Sequence, residues 1–515
     1  MKRKLQVTMI ILLLVAGICL YPAATQEAFA QKYGGTFRIA YGDVLQTLGN
    51  PGALASFLEH QIIEPAVETL GRYDESGVLV PHLAESFELN ADTLTLTINL
   101  PKGVKFHDGT TFDAEAVKWN FELFKALGRS EINDIERIEV VDPLTVVCHL
   151  SKWNNGIADA ALFVAGRMIS PTFSETYGED ATYGQPVGTG PFKFVEWQRD
   201  VKVVYERFED YRIEGLPYLD SVEVVFMPDT STMISAIRRG EIDAIGNVDG
   251  AVVDAMTADG LASVGRPLTS GTIMMGLMPT SNDPSLPVYD LKVRQAIAHA
   301  IDAEAIAEMN ADQGWAYTNQ WSPPGSWSYN EKTKGYPYDV NKAKSLLAEA
   351  GYPKGFSIKG YVNEGDVKLM EITQTFLKQV GIDMEIIPIG GAKENEMTGI
   401  NGTWDGIIRW AARGDADIAP VYERTLTDKG VRMVGGVLHP ADVKDLIDAA
   451  IAAETFEEKA EISKELSRKI IDDYCLVIPY ASISSQFFVK KHVKDTHLGW
   501  YHVSFWTPEL TWIDK

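Results

Sequence analysis

The chain has 515 residues, a formal net charge of −24 and 45% hydrophobic residues. An acidic surface of that size repels polyanions, so nucleic acid and anionic membrane are excluded as electrostatic partners. The apolar content is enough for full hydrophobic cores, and the length suggests two or more domains.

Lys2, Arg3 and Lys4 precede a nearly unbroken apolar run from Met9 to Tyr21, and Ala28-Phe29-Ala30 reads as a signal-peptide cleavage site. Residues 1–30 are therefore expected to be removed, leaving a mature chain that begins at Gln31. The apolar run falls short of the about 20 residues that a membrane span needs. Ile18 stands before Cys19, where a lipidation site has a small residue, which argues against a lipid anchor. A short strand follows at 33–40, then a turn-rich segment, then a helix expected over Glu64–Leu70 and stopped by Gly71. Leu94, Leu96, Ile98 and Leu100 alternate with Thr95, Thr97 and Asn99, the period of a half-buried strand. Turns at Lys102-Gly103 and His107-Asp108-Gly109 lead into a helix with Ala116, Val117, Phe121 and Phe124 on one side. Further strands are expected at 201–207 and 222–226, and a helix over Thr232–Arg239 stops at Gly240.

The texture changes after Gly271. Val293–Met309 carries apolar residues at helical spacing. Asp339 caps a helix whose apolar face is Ala343, Leu346, Leu347 and Ala350. Leu369–Val380 is a further amphipathic helix ahead of the strand Ile382–Ile389, and Thr455 with Glu458 forms a capping box. Residues 476–489 again read as strand. Helices alternating with strands predict an α/β architecture.

The motifs of catalysis are missing. Gly184–Gly190 is rich in glycine but lacks the Gly-Lys-Ser/Thr ending and following helix of a phosphate loop. His107-Asp108 precedes a turn glycine and reads as a turn. His492, His497 and His502 are five apart, a spacing that shares neither a helix face nor a strand face. No His-Glu-x-x-His or Gly-x-Ser-x-Gly occurs. No catalytic residue, metal ligand or cofactor is assigned. Cys148 and Cys475 read as small buried hydrophobes.

The strings Asn-Leu-Pro-Lys-Gly-Val-Lys-Phe-His-Asp-Gly at 99–109, Pro-Val-Gly-Thr-Gly-Pro-Phe at 186–192, Gly-Glu-Ile-Asp at 240–243 and the segments 290–302 and 339–351 resemble the extracellular solute-binding proteins of peptide- and nickel-type ABC importers. Pro101 departs from this pattern, which often has Arg there. The resemblance implies an α/β, two-lobed periplasmic binding protein of the type II, large cluster C kind, with an extra subdomain in the first lobe. It places lobe I at 31–270 with the subdomain at about 69–186, lobe II at 271–479, and a return to lobe I over 480–515. It also implies a small-molecule or peptide ligand, ABC permease subunits as partners, and a monomer in the periplasm. A secreted enzyme acting on peptides or glycans, or capture of a nickel chelate, are the alternatives.

Asp405–Trp410 reads as a strand and Ala411–Asp417 as the loop leaving it, where α/β proteins tend to bind ligands. In peptide-carrying relatives an Asp after the Trp pairs with the ligand's amino group. Here Arg413 takes that place, with Asp415 two residues on. Either Asp415 keeps the role and pairs with Arg413, or the ligand is not a plain dipeptide. The Arg that dipeptide carriers use for the ligand carboxylate is absent from Tyr361–Glu364. Trp410 and Arg413 head the candidate binding residues, followed by Asp415 and Trp404, then Tyr41, Trp315 and Trp321, whose rings offer stacking surfaces.

Overall fold

The computed structural model describes residues 31–514 apart from 46, 55–56, 75, 130, 247, 249–251, 253–254, 257, 261–262, 265–271, 312–313, 400–401, 428–429, 431–432, 485–486 and 499–505. The expected signal peptide, Cys19 and His502 lie outside the described residues.

Two α/β layers organise the chain. Strand Thr36–Tyr41 buries Phe37 and Ile39 on one face and Ala40 on the other, beneath the helix Thr230–Arg239. A strand buried on both faces belongs in the middle of a sheet, and this one pairs in parallel with Ser221–Phe226 and Ala244–Gly246. Lys202–Arg207 and Phe192–Gln198 extend the sheet on one side, Phe487–Val489 and Ser263–Val264 on the other. A second sheet of six strands runs Trp315–Tyr317, Ile478–Ile483, Thr272–Pro279, Gly406–Gly414, Phe356–Asn363, Ile382–Ile389. The chain passes from the first sheet to the second between Val264 and Thr272, and back between Ile483 and Phe487.

A four-stranded antiparallel sheet, in the order Ser86–Asn90, Thr95–Asn99, Thr145–Leu150, Ile135–Asp142, forms a separate layer. Leu96 and Ile98 are fully buried while Thr95, Thr97 and Asn99 stay half-exposed, as their alternation requires. The Asp113 side chain caps the helix Ala114–Ala126 by accepting from Ala116 N at 3.0 Å. That helix lays Ala116, Val117, Phe121 and Phe124 against the sheet.

The two glycine-marked segments dock on each other. His107 N donates to Gly188 O, and His107 Nε2 lies 2.9 Å from Gly190 O. Asp108 accepts from Thr110 N at 3.0 Å and Ser170 Oγ at 2.5 Å. The His-Asp pair therefore closes a turn, and burial lowers the His107 pKa to about 4. A Cβ at Gly188 would fall 2.2 Å from Ala66 O, which explains the glycine there.

Three expectations about elements change. The helix expected over Glu64–Leu70 is instead Phe57–Ile63. Pro65 has no N–H to continue a helix and disfavours helical geometry in the residue before it. Val293–Met309 divides into Leu291–Ala300 and Ala303–Glu308, because Ile301 turns extended and the Asp302 side chain caps a new helix at Ala305 N. The strand containing Trp410 runs on to Gly414, with Ile273 opposite Arg413, so Arg413 stands on the strand and not in the loop. Cys148 and Cys475 are both free and buried, in different hydrophobic cores.

Phe121→Ala should destabilise the protein by about 3–5 kcal/mol in chemical denaturation, the usual cost of truncating a buried aromatic. A loss below about 1 kcal/mol would mean that this helix does not anchor the four-stranded layer.

Candidate functional site

A cavity of about 940 Å³ opens where the four-stranded layer and its neighbouring loops face the second sheet's side of the molecule. One wall carries His60, Tyr73, Arg129, Asp159, Phe163 and Arg167; the other carries Trp327, Arg413, Asp415, Asp417, Glu423 and Lys459. The volume lies in the range of small-molecule sites.

Charges of both signs line both walls, and most are paired. Arg129 Nη2 donates to Glu131 at 2.6 Å, Arg413 Nε to Asp415 at 2.8 Å, and Lys459 Nζ to Asp417. The Tyr73 hydroxyl donates to Asp159. Burial raises the Asp159 pKa to about 6, opposed by the Tyr73 hydrogen bond. Burial works against the Arg413 charge, but Asp415, Tyr73 and Asp159 outweigh it and raise the pKa. Burial, reinforced by the positive Arg167, Arg129 and Arg413, drives His60 well below 6.5, so its ring is neutral at pH 7.

Arg167 is held with unusual care. Thr69 bridges to it, and the flanking backbone bonds Leu70 N to Gly166 O and Met168 N to Glu68 O. Its guanidinium lies 5.1 Å from the Phe163 ring centroid, and Nη1 donates to Phe163 O at 3.1 Å. The residue is 4% exposed, yet Nε and Nη2 have no hydrogen-bond partner. Asp417 Oδ1, on the opposite wall, is likewise an unpartnered buried acceptor. Behind the wall, burial raises Glu64 to about 8, with Arg167 opposing, and raises Glu509 to about 7, with Arg72 opposing.

The two walls are also joined directly. The helix Ala441–Ala452 ends without a left-handed cap, so its last carbonyls need donors. The loop at 153–155 supplies them: Trp153 Nε1 to Ala452 O at 2.8 Å, Asn155 Nδ2 to Ala450 O and Ala453 O at 2.7 and 3.0 Å, and Asn155 N to Ile451 O at 3.2 Å.

Of the sequence candidates, Arg413 and Asp415 line the cavity and pair with each other. The other five are not among its described lining residues. Trp410 and Trp321 pack together in a buried cluster, centroids 3.5 Å apart, with Tyr422 beside Trp321. Trp404 is buried and donates its indole N–H to Met278 O. Trp315 sits on an edge strand against the second core. Tyr41 is packed in the first core, its ring filling the space over Gly246. These rings are large apolar volumes on sheet strands and buried loops, so packing claims them. His60, Tyr73, Arg129, Asp159 and Arg167 went unnoticed in the sequence. The one local signal was Arg167 itself, a charge set between the apolar runs Ala160–Ala165 and Met168-Ile169.

With this geometry in view, residues 78–431 match the sequence model of the bacterial extracellular solute-binding proteins, family 5 Middle. The chain belongs to this family. The glutathione-binding protein GsiB of Pectobacterium atrosepticum is 31% identical over 409 residues, covering 75% of this chain and 76% of that relative. GsiB of Escherichia coli (strain K12) is 30% identical over 400 residues, 75% and 77% of the two chains. Among solved structures, HbpA2 from Haemophilus parasuis superposes with a TM-score of 0.81 at 21% identity, over 93% of this chain and all of that one. The PBP AgaA from A. tumefacien R10, in complex with agropinic acid, gives 0.69 at 26% identity, over 93% and 99%. The fold is that of the two-lobed family 5 binding proteins, and this family 5 protein is the substrate-binding component of an ABC importer.

Two outcomes follow. Glu64 and Glu509 bind protons more tightly folded than unfolded, so the stability they contribute is complete below pH 4.5 and declines as pH rises through about 7–8. Glu64→Gln should flatten the fall in Tm between pH 6 and 9; an unchanged slope would remove Glu64 from that account. Asn155→Ala should enlarge the ligand-free radius of gyration in small-angle scattering while leaving Tm within a few degrees. An unchanged profile would mean that these hydrogen bonds do not hold the walls together.

Proposed function

We propose that this family 5 protein captures a small peptide-like zwitterion in the 940 Å³ cavity, encloses it by closure of the two lobes, and presents it to membrane permease subunits. One observation carries this reading: the cavity has charged groups of both signs on both walls, in pairs such as Arg413–Asp415 and Lys459–Asp417. A ligand with ammonium and carboxylate ends can exchange its own charges for members of such pairs, whereas a neutral sugar leaves them as they are. The relatives named as glutathione-binding support the same class, since glutathione is a tripeptide of this kind.

The lobes in this proposal are 31–270 with the four-stranded subdomain, 271–479, and the return from about 480, the strand Ile478–Ile483 staying with the second sheet. The protein works in the periplasm after cleavage before Gln31, as a monomer, without nucleic acid or cofactor and without catalysis of its own. The family membership and the acidic charge support those statements.

A thermal-shift series on the chain from Gln31 tests the reading. Reduced glutathione and short peptides should stabilise it, by about 2.7 kcal/mol at 100 times the dissociation constant. Stabilisation by oligosaccharides or nickel-histidine alone would contradict it.

A further inference from the structure

Arg167 presents a physical problem that its described neighbours in the chain do not solve. Its guanidinium is buried, and among the described residues no carboxylate lies within ion-pair distance. The nearby acid Glu64 is held largely protonated at neutral pH. An unmade hydrogen bond to a buried charged donor is costly, and two are left on one side chain.

Which two are open is informative. Nε and Nη2 form the side-on edge of the guanidinium, two parallel N–H groups that match the two oxygens of a carboxylate. The same edge grips carboxylates elsewhere in this protein. Arg238 donates from Nε and Nη2 to Asp259 at 2.6 and 3.0 Å, Arg239 to Glu241 at 2.6 and 2.9 Å, and Arg468 to Glu465 at 2.8 and 2.7 Å. In those cases the acid is supplied by the chain. At Arg167 the third donor, Nη1, is tied to Phe163 O, the ring of Phe163 supports the guanidinium, and the remaining edge belongs to a cavity-lining residue.

We infer that the Nε/Nη2 edge of Arg167 is the carboxylate anchor of the cavity, so that the ligand carries a free carboxylate bound side-on to the first lobe. Arg129 and the neutral His60 line the same wall, and each keeps one buried ring or guanidinium nitrogen without a partner, Nε and Nδ1. They complete a donor-rich pocket for the outer lone pairs of that carboxylate. Arg413 is the lesser anchor, because a ligand carboxylate must first displace Asp415 from its Nε, whereas the Arg167 edge has no acid to displace. The inference rests on the proposed capture of a peptide-like solute for the identity of the whole ligand, but not for the carboxylate itself.

The experiment therefore has two arms, each on parent and Arg167→Gln, with Arg167→Lys as a variant that keeps the charge and loses the fork. In the first, succinate and acetate at millimolar concentration are titrated against chloride at constant ionic strength, followed by Tm and by the arginine Nε–H signals in NMR. A carboxylate-specific stabilisation in the parent that vanishes in both variants supports the anchor; no carboxylate effect in the parent overturns it. In the second, calorimetry compares reduced glutathione with its glycine ethyl ester. Loss of the carboxylate contact should weaken parent binding by roughly 30-fold, and Arg167→Gln should bind acid and ester alike. Glutathione binding that is unchanged in Arg167→Gln overturns the anchor and leaves peptide capture standing. Succinate binding without glutathione binding supports the anchor and refutes the peptide-like ligand.

Discussion

Charge held between two bodies of low dielectric sets the terms for this protein. In such a place an ion without a partner is expensive, and an ion pair is stable only with good geometry. Around the cavity three ion pairs meet that condition within one wall: Arg129 with Glu131, Arg413 with Asp415, Lys459 with Asp417. In the proposed closure each of these pairs stays within its own wall, while Arg413 also feels Tyr73 and Asp159 across the gap. Among the contacts that cross the gap are hydrogen bonds from the 153–155 loop to the end of the helix Ala441–Ala452, of a kind that water can replace.

The scaffold serves that arrangement. The first sheet is centred on a strand buried on both faces, and the subdomain is locked to it where His107 meets Gly188 and Gly190. Close backbone approach at these glycines leaves no room for a side chain. Arg167 stands at the end of a segment tied by backbone bonds to residues 68–70, so its guanidinium is placed by rigid neighbours. Family 5 membership describes this framework and not its ligand.

Much of the framework was legible in the sequence because it obeys local rules. The alternation at 94–100, the cap at Asp113 and the stop at Gly240, whose φ is +79°, each follow from one residue's chemistry. The errors came where a second rule overrode the first: Pro65 ended a helical pattern, and Asp302 split another. The cavity was only half legible. Arg413 and Asp415 announced themselves as charges at a strand end. Arg129, Asp159 and Arg167 come from a loop, a short helix and an isolated bridge at unrelated spacings, and no periodicity gathers them. The tryptophans pointed the other way, since a large ring is as well suited to packing a core as to stacking on a ligand.

The most direct test of the account is a crystal structure of the chain from Gln31 with reduced glutathione. The account predicts density enclosed between the two walls, a ligand carboxylate side-on to Arg167 Nε and Nη2, and the amino end near the acids Asp415 and Asp417. Density elsewhere on the surface, or inside the cavity with that edge of Arg167 still empty, would contradict it.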